Sequence, residues 1–202
     1  MSPGATATAG RRSTSPETIL EAAGAEFLLT GFRRTSMEAI AERAGLARQT
    51  LYLHFSSKEE VFTETVSRLH ESYLSRAEAA AASDEPAVRA LREAIQAKVD
   101  TYSSVVFSPH GEELMDTQSR LCGEIVESSL RRYHTALQRI LAAADARGEI
   151  ALEAHGLSTS AAAELLYDWI AGIMRPTRRL PERAYARRAE DAAETFVRGL
   201  AR

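Results

Sequence analysis

Cysteine is almost missing from these 202 residues. Cys122 stands alone, so no disulfide can close within the chain, and a reducing compartment, the cytoplasm, is the expected setting. Glycine (11) and proline (6) are scarce and β-branched runs are absent, so little interrupts helix. The longest apolar candidate for a membrane span, Leu165 to Met174, is short and contains Asp168. The N-terminus lacks the apolar stretch of a secretory signal. No repeat of fixed period is found. No cluster of general acid and base groups stands out, so no catalytic residue, cofactor or metal is expected. Lysine occurs only at Lys58 and Lys98, and nearly every cation is an arginine. What remains is alanine, arginine and a hydrophobic content of 45%, enough for a proper core. The expected fold is all-α.

The stretch from Thr35 to Lys58 organises the rest. Thr35 is placed to cap a short helix, with Glu38 closing a capping box. Met37, Ile40, Ala41 and Ala44 share one apolar face. Gly45 stops the helix, because only glycine enters the left-handed region cheaply, and Leu46 plugs the corner. A second helix is expected from about Ala47 to Phe55, with Leu51 and Phe55 facing in. Its outward face then carries Arg48, Gln49, Thr50, Tyr52 and His54, side chains suited to base edges and phosphates. From Arg33 to Lys58 five cations (Arg33, Arg34, Arg43, Arg48, Lys58) oppose Glu38 and Glu42. That local +3 sits on a chain of net charge -3, and it suits a polyanion partner. This is a helix-turn-helix pattern whose second helix would enter a major groove; an ordinary helical hairpin with a polar surface is the bland alternative.

Several runs together resemble the DNA-binding domain of the TetR (tetracycline-repressor) family of bacterial regulators. They are Gly31-Phe32-Arg33-Arg34-Thr35-Ser36, Ile40-Ala41, Ala44-Gly45, Thr50-Leu51-Tyr52, His54-Phe55 and Ser57-Lys58-Glu59. The resemblance covers about Ser13 to Leu74. It implies an all-helical homodimer: an N-terminal three-helix helix-turn-helix domain and a C-terminal helical ligand-binding and dimerisation domain. One departure is Ala47, where many members carry a capping serine; its loss costs about 1 kcal/mol of helix stability.

The expected division is therefore residues 1–12 as a disordered arm carrying Arg11 and Arg12, 13–74 as the DNA-binding domain (motif about 36–55), and 75–202 as the second domain. Ser15-Pro16-Glu17 starts the first helix, with Ile19, Ala22, Ala23, Phe27 and Leu28 inward and Gly31 at its end. Ser57 and Glu60 open a long helix to about Ala82. Lys58 in its first turn opposes the helix dipole, which makes sense if a phosphate docks there. Further helices are expected at about 87–107, 112–121, 124–147, 158–175 and 181–200.

The last two long helices carry apolar stripes, and their combined surface suggests a partner. The resemblance implies a four-helix dimer interface there, through Leu166, Ile170, Ile173, Tyr185, Ala189, Ala192 and Phe196. Aromatic, methionine and polar-tipped residues of the middle helices suit a largely apolar ligand cavity: Tyr102, Phe107, His110, Met115, Cys122, Tyr167, Trp169 and Met174. His110, Glu113 and Asp116 recur at one-turn spacing, compatible with metal ligands but more simply an acidic helix start. The expected function is a ligand-responsive transcriptional regulator, a repressor by expectation, binding a palindromic double-stranded operator as a homodimer and released by a small, largely apolar effector, with no membrane partner. Thr35, Ser36 and Lys58 would hold the DNA backbone. The alternatives are a helical enzyme that keeps such a hairpin, which lacks a visible acid–base cluster, and a non-specific DNA binder, which a pI near 6.0 disfavours.

Overall fold

The computed structural model describes residues 15–174 and 181–201, apart from the side chains at 182, 183 and 185. The arm at 1–12, the helix end at Pro176 and the interface expectation for Tyr185 lie outside the described residues. All described regular structure is helical: α1 (Pro16–Thr30), α2 (Met37–Ala44), α3 (Arg48–His54), α4 (Lys58–Ala81), α5 (Ala87–Phe107), α6 (Gly111–Leu121), α7 (Gly123–Ala146), α8 (Thr159–Ile173) and α9 (Glu182–Gly199).

Local chemistry sets most boundaries. Ser15 caps α1 and Pro16 occupies its first turn. Gly31 ends it at φ 80, which a side chain would strain. The cap of α2 is Ser36, not Thr35: the Ser36 hydroxyl accepts from the Ala39 N–H at 3.2 Å. Thr35 is buried instead, its hydroxyl donating to the Gly31 carbonyl at 2.7 Å and meeting the Thr30 hydroxyl at 2.8 Å. The chain is still satisfying the end of α1 at Thr35, so the cap falls one residue later. Gly45 at φ 73 closes α2, and the Leu46 N–H returns to the Ala41 carbonyl. The helix α3 is shorter than its apolar spacing implied, because Ala47 and Phe55 are both extended and Ala47 offers no capping oxygen. Ser57 caps α4, while the Glu60 carboxylate reaches back to the N–H and hydroxyl of Ser56, both at 2.6 Å.

Elsewhere tertiary contacts do the capping. Pro86 gives α5 no capping side chain, and the Glu149 carboxylate accepts from the Ala87 N–H at 2.6 Å. The stretch expected as a loop at 149–157 contains a single turn of 3-10 helix, Glu153–His155.

Two hydrophobic cores result. The first joins Ile19, Phe27, Phe32, Ile40, Leu51, Phe55, Val61, Phe62 and Val66, and it also takes Leu114 and Cys122 from the far side of the chain. Phe27, Phe32 and Phe62 meet edge-on or tilted, with centroids 5.0–5.8 Å apart. The second is built on Tyr73, Leu74, Leu91, Ile95, Tyr133, Leu137, Leu141, Leu166 and Ile170. Each fully buried Leu or Ile contributes about 1.5–3 kcal/mol relative to exposure. The same helix, α4, feeds both cores, Val61 to Val66 on one side and Tyr73 to Ala80 on the other. Arg132 of α7 forks onto Glu71 and Glu78 of α4 at 2.7 and 2.8 Å, fixing these two helices together.

Candidate functional site

The helix α3 stands on Leu51, which is fully buried, while Arg48, Gln49, Tyr52 and His54 are exposed and Thr50 is half-buried. Leu53 is 84% exposed on the same short helix. Arg48 lies over the Tyr52 ring at 5.4 Å and pairs with Glu38 of α2 at 2.7 Å. The pair sits in full solvent, so it is exchangeable for a phosphate or a base edge. Ser36, exposed at the start of α2, lies on the neighbouring turn.

Lys58 is not offered to a phosphate. Its ammonium donates to the carbonyls of Phe32 at 2.8 Å, Thr35 at 2.9 Å and Arg33 at 3.4 Å, and it rests 4.5 Å from the centroid of the Phe32 ring. A lysine has three donors, and all three are used to fasten the loop between α1 and α2. That explains a cation in a first helical turn without any ligand. Arg43 is likewise spoken for by the nearly buried Glu26 at 2.6 Å. The local basic surplus read along the chain is therefore smaller in space.

The loop before α2 is also held from the other side. The Arg33 N–H donates to the Glu113 carboxylate at 2.8 Å, Arg34 meets the His110 ring at 3.0 Å, and the Ser108 hydroxyl donates to the Leu28 carbonyl at 2.7 Å. A Cβ on Gly31 would come within 2.5 Å of the Glu113 carboxylate. His110 and Glu113 thus form a clamp between α6 and the first core. Among the described residues no group of three His, Cys, Asp or Glu is placed to hold a metal ion.

A cavity of about 250 Å³ opens between α4, α5, α6, α7 and α8. Tyr102, Met115, Tyr167 and Met174 line it, with His70, Tyr73, Lys98 and Gln118. Gln118 donates to the Tyr102 hydroxyl at 3.2 Å, and that hydroxyl meets His70 Nε2 at 2.6 Å. The other imidazole nitrogen, Nδ1, lies 3.4 Å from the Tyr73 hydroxyl. Burial, reinforced by the nearby Lys98 charge, pushes His70 down to about 4. Burial pushes Lys98 down to about 8. The phenols of Tyr73, Tyr102 and Tyr133 are raised above their ordinary range, also by burial, and stay neutral donors.

Residues 19–65 match the model for bacterial regulatory proteins of the tetR family. The chain is 26% identical over 184 residues to the HTH-type transcriptional regulator TtgR of Pseudomonas putida, covering 81% of this chain and 80% of that one. It is 39% identical over 67 residues to the probable HTH-type transcriptional regulator ArpR of Pseudomonas putida, 33% of this chain and 32% of that one. The chain carries a TetR-family DNA-binding domain at residues 19–65. Its fold is shared with the Bacillus subtilis regulator FadR in complex with stearoyl-CoA (TM-score 0.72, 20% identity, 92% of this chain and 99% of that one). It is shared too with SmeT, the repressor of the Stenotrophomonas maltophilia multidrug efflux pump SmeDEF (TM-score 0.68, 24% identity, 93% and 91%). The relatives the chain matches are transcriptional regulators, not enzymes.

Against this geometry the sequence expectations divide. Tyr102, Met115, Tyr167 and Met174 come together at the cavity. Phe107 is 40% exposed, His110 belongs to the clamp, and Cys122 is buried in the first core with its thiol 3.9 Å from the Thr63 hydroxyl. Trp169 is 43% exposed on α8, 6.4 Å from the Phe196 ring. Phe107 and Trp169 share helices with cavity residues, but a 100° rotation per residue sends them elsewhere, whereas His110 and Cys122 lie at the ends of α6. Leu166, Ile170, Ile173, Ala189 and Ala192 are buried within the chain itself, so they are not free to meet a second copy. Among the described side chains the exposed apolar atoms of that face belong to Leu165, Trp169 and the half-buried Phe196, beside an open groove of about 760 Å³ that Trp169, Gly172, Arg188 and Thr195 line. Sequence reasoning missed Lys98, His70, Tyr73 and Gln118. A lysine at an inward position of an apolar stripe was the available signal. No described helix is long and apolar enough to cross a membrane.

Proposed function

We propose that this regulator is a cytoplasmic repressor that reads a palindromic operator as a homodimer and is released by a small effector held in the α4–α8 cavity. The observation that carries the reading is the free outward face of α3, where Arg48, Gln49, Tyr52 and His54 stand exposed on a helix seated by Leu51. Those four, with Thr50 and with Ser36 at the start of α2, are the DNA-facing residues; Thr35 and Lys58 support them from inside. The DNA-binding domain extends over about 13–74, and the remainder binds the effector and the second copy. Two such copies related by a two-fold axis would set their α3 helices about 34 Å apart, one turn of duplex. The second copy meets the face of α8 and α9 that carries Leu165, Trp169 and Phe196.

Release follows from shared helices. Met115 and Gln118 of α6 border the cavity, and Glu113 of the same helix holds the Arg33 N–H. His70 and Tyr73 of α4 border it too, and Lys58 at the start of α4 holds the same loop. An effector that favours one setting of α6 against α4 therefore re-aims the loop that positions α2 and α3. Each tenfold loss of operator affinity requires about 1.4 kcal/mol of preference for the DNA-incompetent form. The role of SmeT as a repressor supports the sign of the effect.

The test is selection of a binding site from random duplexes, followed by titration of the dimer against the selected site and its scrambled version. An inverted repeat whose sequence preference changes in Gln49→Ala supports the reading. Selection of no common site, or a Gln49→Ala protein with unchanged preference, overturns it.

A further inference from the structure

We infer that the effector is an amphipathic monoanion whose carboxylate, or comparably compact oxyanion, sits against the ammonium of Lys98. The inference rests on the reading of the α4–α8 cavity as the effector site. Lys98 lies in mid-α5, nine-tenths buried, at the wall of that cavity. Four tyrosine rings surround its ammonium, with centroids at 4.6 Å (Tyr73), 4.8 Å (Tyr133), 5.3 Å (Tyr167) and 5.7 Å (Tyr102). Among the described residues it has no hydrogen-bond acceptor and no carboxylate. Ring faces attract a cation but accept none of its three N–H donors in the way an oxygen does. A buried charge is ordinarily paired and hydrogen-bonded, and a methionine would fill the same apolar surroundings without cost.

The chain's other lysine shows what completion looks like. Lys58 spends its donors on three carbonyls. At Lys98 the acceptors are absent and a void stands in their place. The charge balance of that void is simple. Among the described residues no Asp or Glu lines it. His70, facing from α4, is held neutral by burial and by Lys98 itself. The tyrosines from α4, α5, α7 and α8 are held as neutral phenols, and α6 contributes the uncharged Gln118. Among the described residues the cavity therefore presents a single positive charge. A monoanion matches it, a dianion leaves one charge unmatched, and a cation is repelled. The hydroxyl of Tyr102 and the amide of Gln118 offer further polar contacts to the head group, while Met115 and Met174 receive an apolar body. The effector expected from composition as largely apolar thus acquires a charged end.

With only two lysines in the chain, protein labelled at lysine Cε gives two side-chain resonances, and Lys98→Met assigns them. The full-length dimer is titrated with octanoate and phenylacetate, and in parallel with octanamide and phenylacetamide. Binding is followed by calorimetry, by the Lys98 resonance and by release of the selected operator. The acids should bind about tenfold or more tightly than the amides, the strength of a charge-assisted contact. They should also move the Lys98 titration to higher pH, and the amides should not. In Lys98→Met the acid preference should vanish while amide binding persists. Equal affinity for acid and amide, or an acid preference that survives Lys98→Met, overturns the charge inference and leaves the effector cavity standing. A Lys98 resonance unmoved by any of the four compounds at millimolar concentration, with operator binding unchanged, overturns both.

Discussion

The first core and the cavity region treat their lysines in opposite ways. Around α1 to α3 every inward polar group is answered: Lys58 by three carbonyls, Thr35 by Gly31 and Thr30, Arg43 by Glu26. The unfinished business of that region lies outside, on α3. Between α4 and α8 the unfinished business lies inside, in a lysine caged by rings, and on one edge, where Leu165 and Trp169 face solvent. On the proposed reading, the region that docks on DNA closes its interior, and the region that answers an effector keeps a polar demand open. The clamp of His110 and Glu113 on the 31–34 loop joins the two.

The largest break expected is at the exposed edge. Trp169→Glu should leave the fold intact, since the indole is 43% exposed, but cost the dimer about 2–4 kcal/mol, as a central aromatic anchor does. Sedimentation should show monomer at micromolar concentration and operator affinity should fall about thirtyfold or more by the same arithmetic; an unchanged dimer would remove this face from the interface. Next comes the interior charge. Folded Lys98 titrates near 8 against an ordinary 10.5, so the unfolded chain holds more protons between those values and stability should rise with pH across them. Lys98→Met should therefore raise stability at pH 7 by up to about 3 kcal/mol, a gain that fades above pH 10. For His70 the folded value near 4 lies below an ordinary 6.5, so its contribution is present above pH 6.5 and lost as pH falls toward 4. Thermal unfolding across pH 4–11 reads both windows, and a flat difference between wild type and Lys98→Met would remove the buried charge from the account.

Lys58→Ala sharpens the contrast from the other side. It should destabilise the first core by about 2 kcal/mol, because it deprives the carbonyls of Phe32 and Thr35 of a charged donor. Once folded fractions are matched, the salt dependence of operator binding should be unchanged; a slope lowered by one ion would restore Lys58 as a phosphate contact. The smallest effect is at the clamp. Glu113→Gln weakens one charge-assisted bond to the Arg33 N–H, worth about 1 kcal/mol. It should leave operator affinity nearly intact and reduce the fold-change that an effector produces, measured by anisotropy with and without octanoate.

The helix boundaries were legible wherever a residue dictates its own backbone: Ser15-Pro16, Gly31, Gly45 and Ser57 open or close elements where the sequence places them. Thr35 and Ser36 show the limit. Both carry a hydroxyl suited to a cap, and the choice between them depended on how α1 finishes. The outward set on α3 was legible because Leu51 and Phe55 orient the helix. The cavity was legible only in half. Aromatic and methionine residues recur along α5, α6 and α8, but helical phase relative to a neighbouring helix is not written in one helix's own spacing.

The amino-acid sequence by itself determined that the chain is helical, where most helices begin and end, and which short helix carries an exposed polar face, because capping, glycine conformation and amphipathic period act over a few residues. Only the tertiary structure decided which side chains are used up inside the subunit and which remain free. Lys58 and Lys98 are indistinguishable as letters. One is surrounded by carbonyls from residues 32–35 and the other by rings from four helices, and those surroundings come together only when distant segments pack.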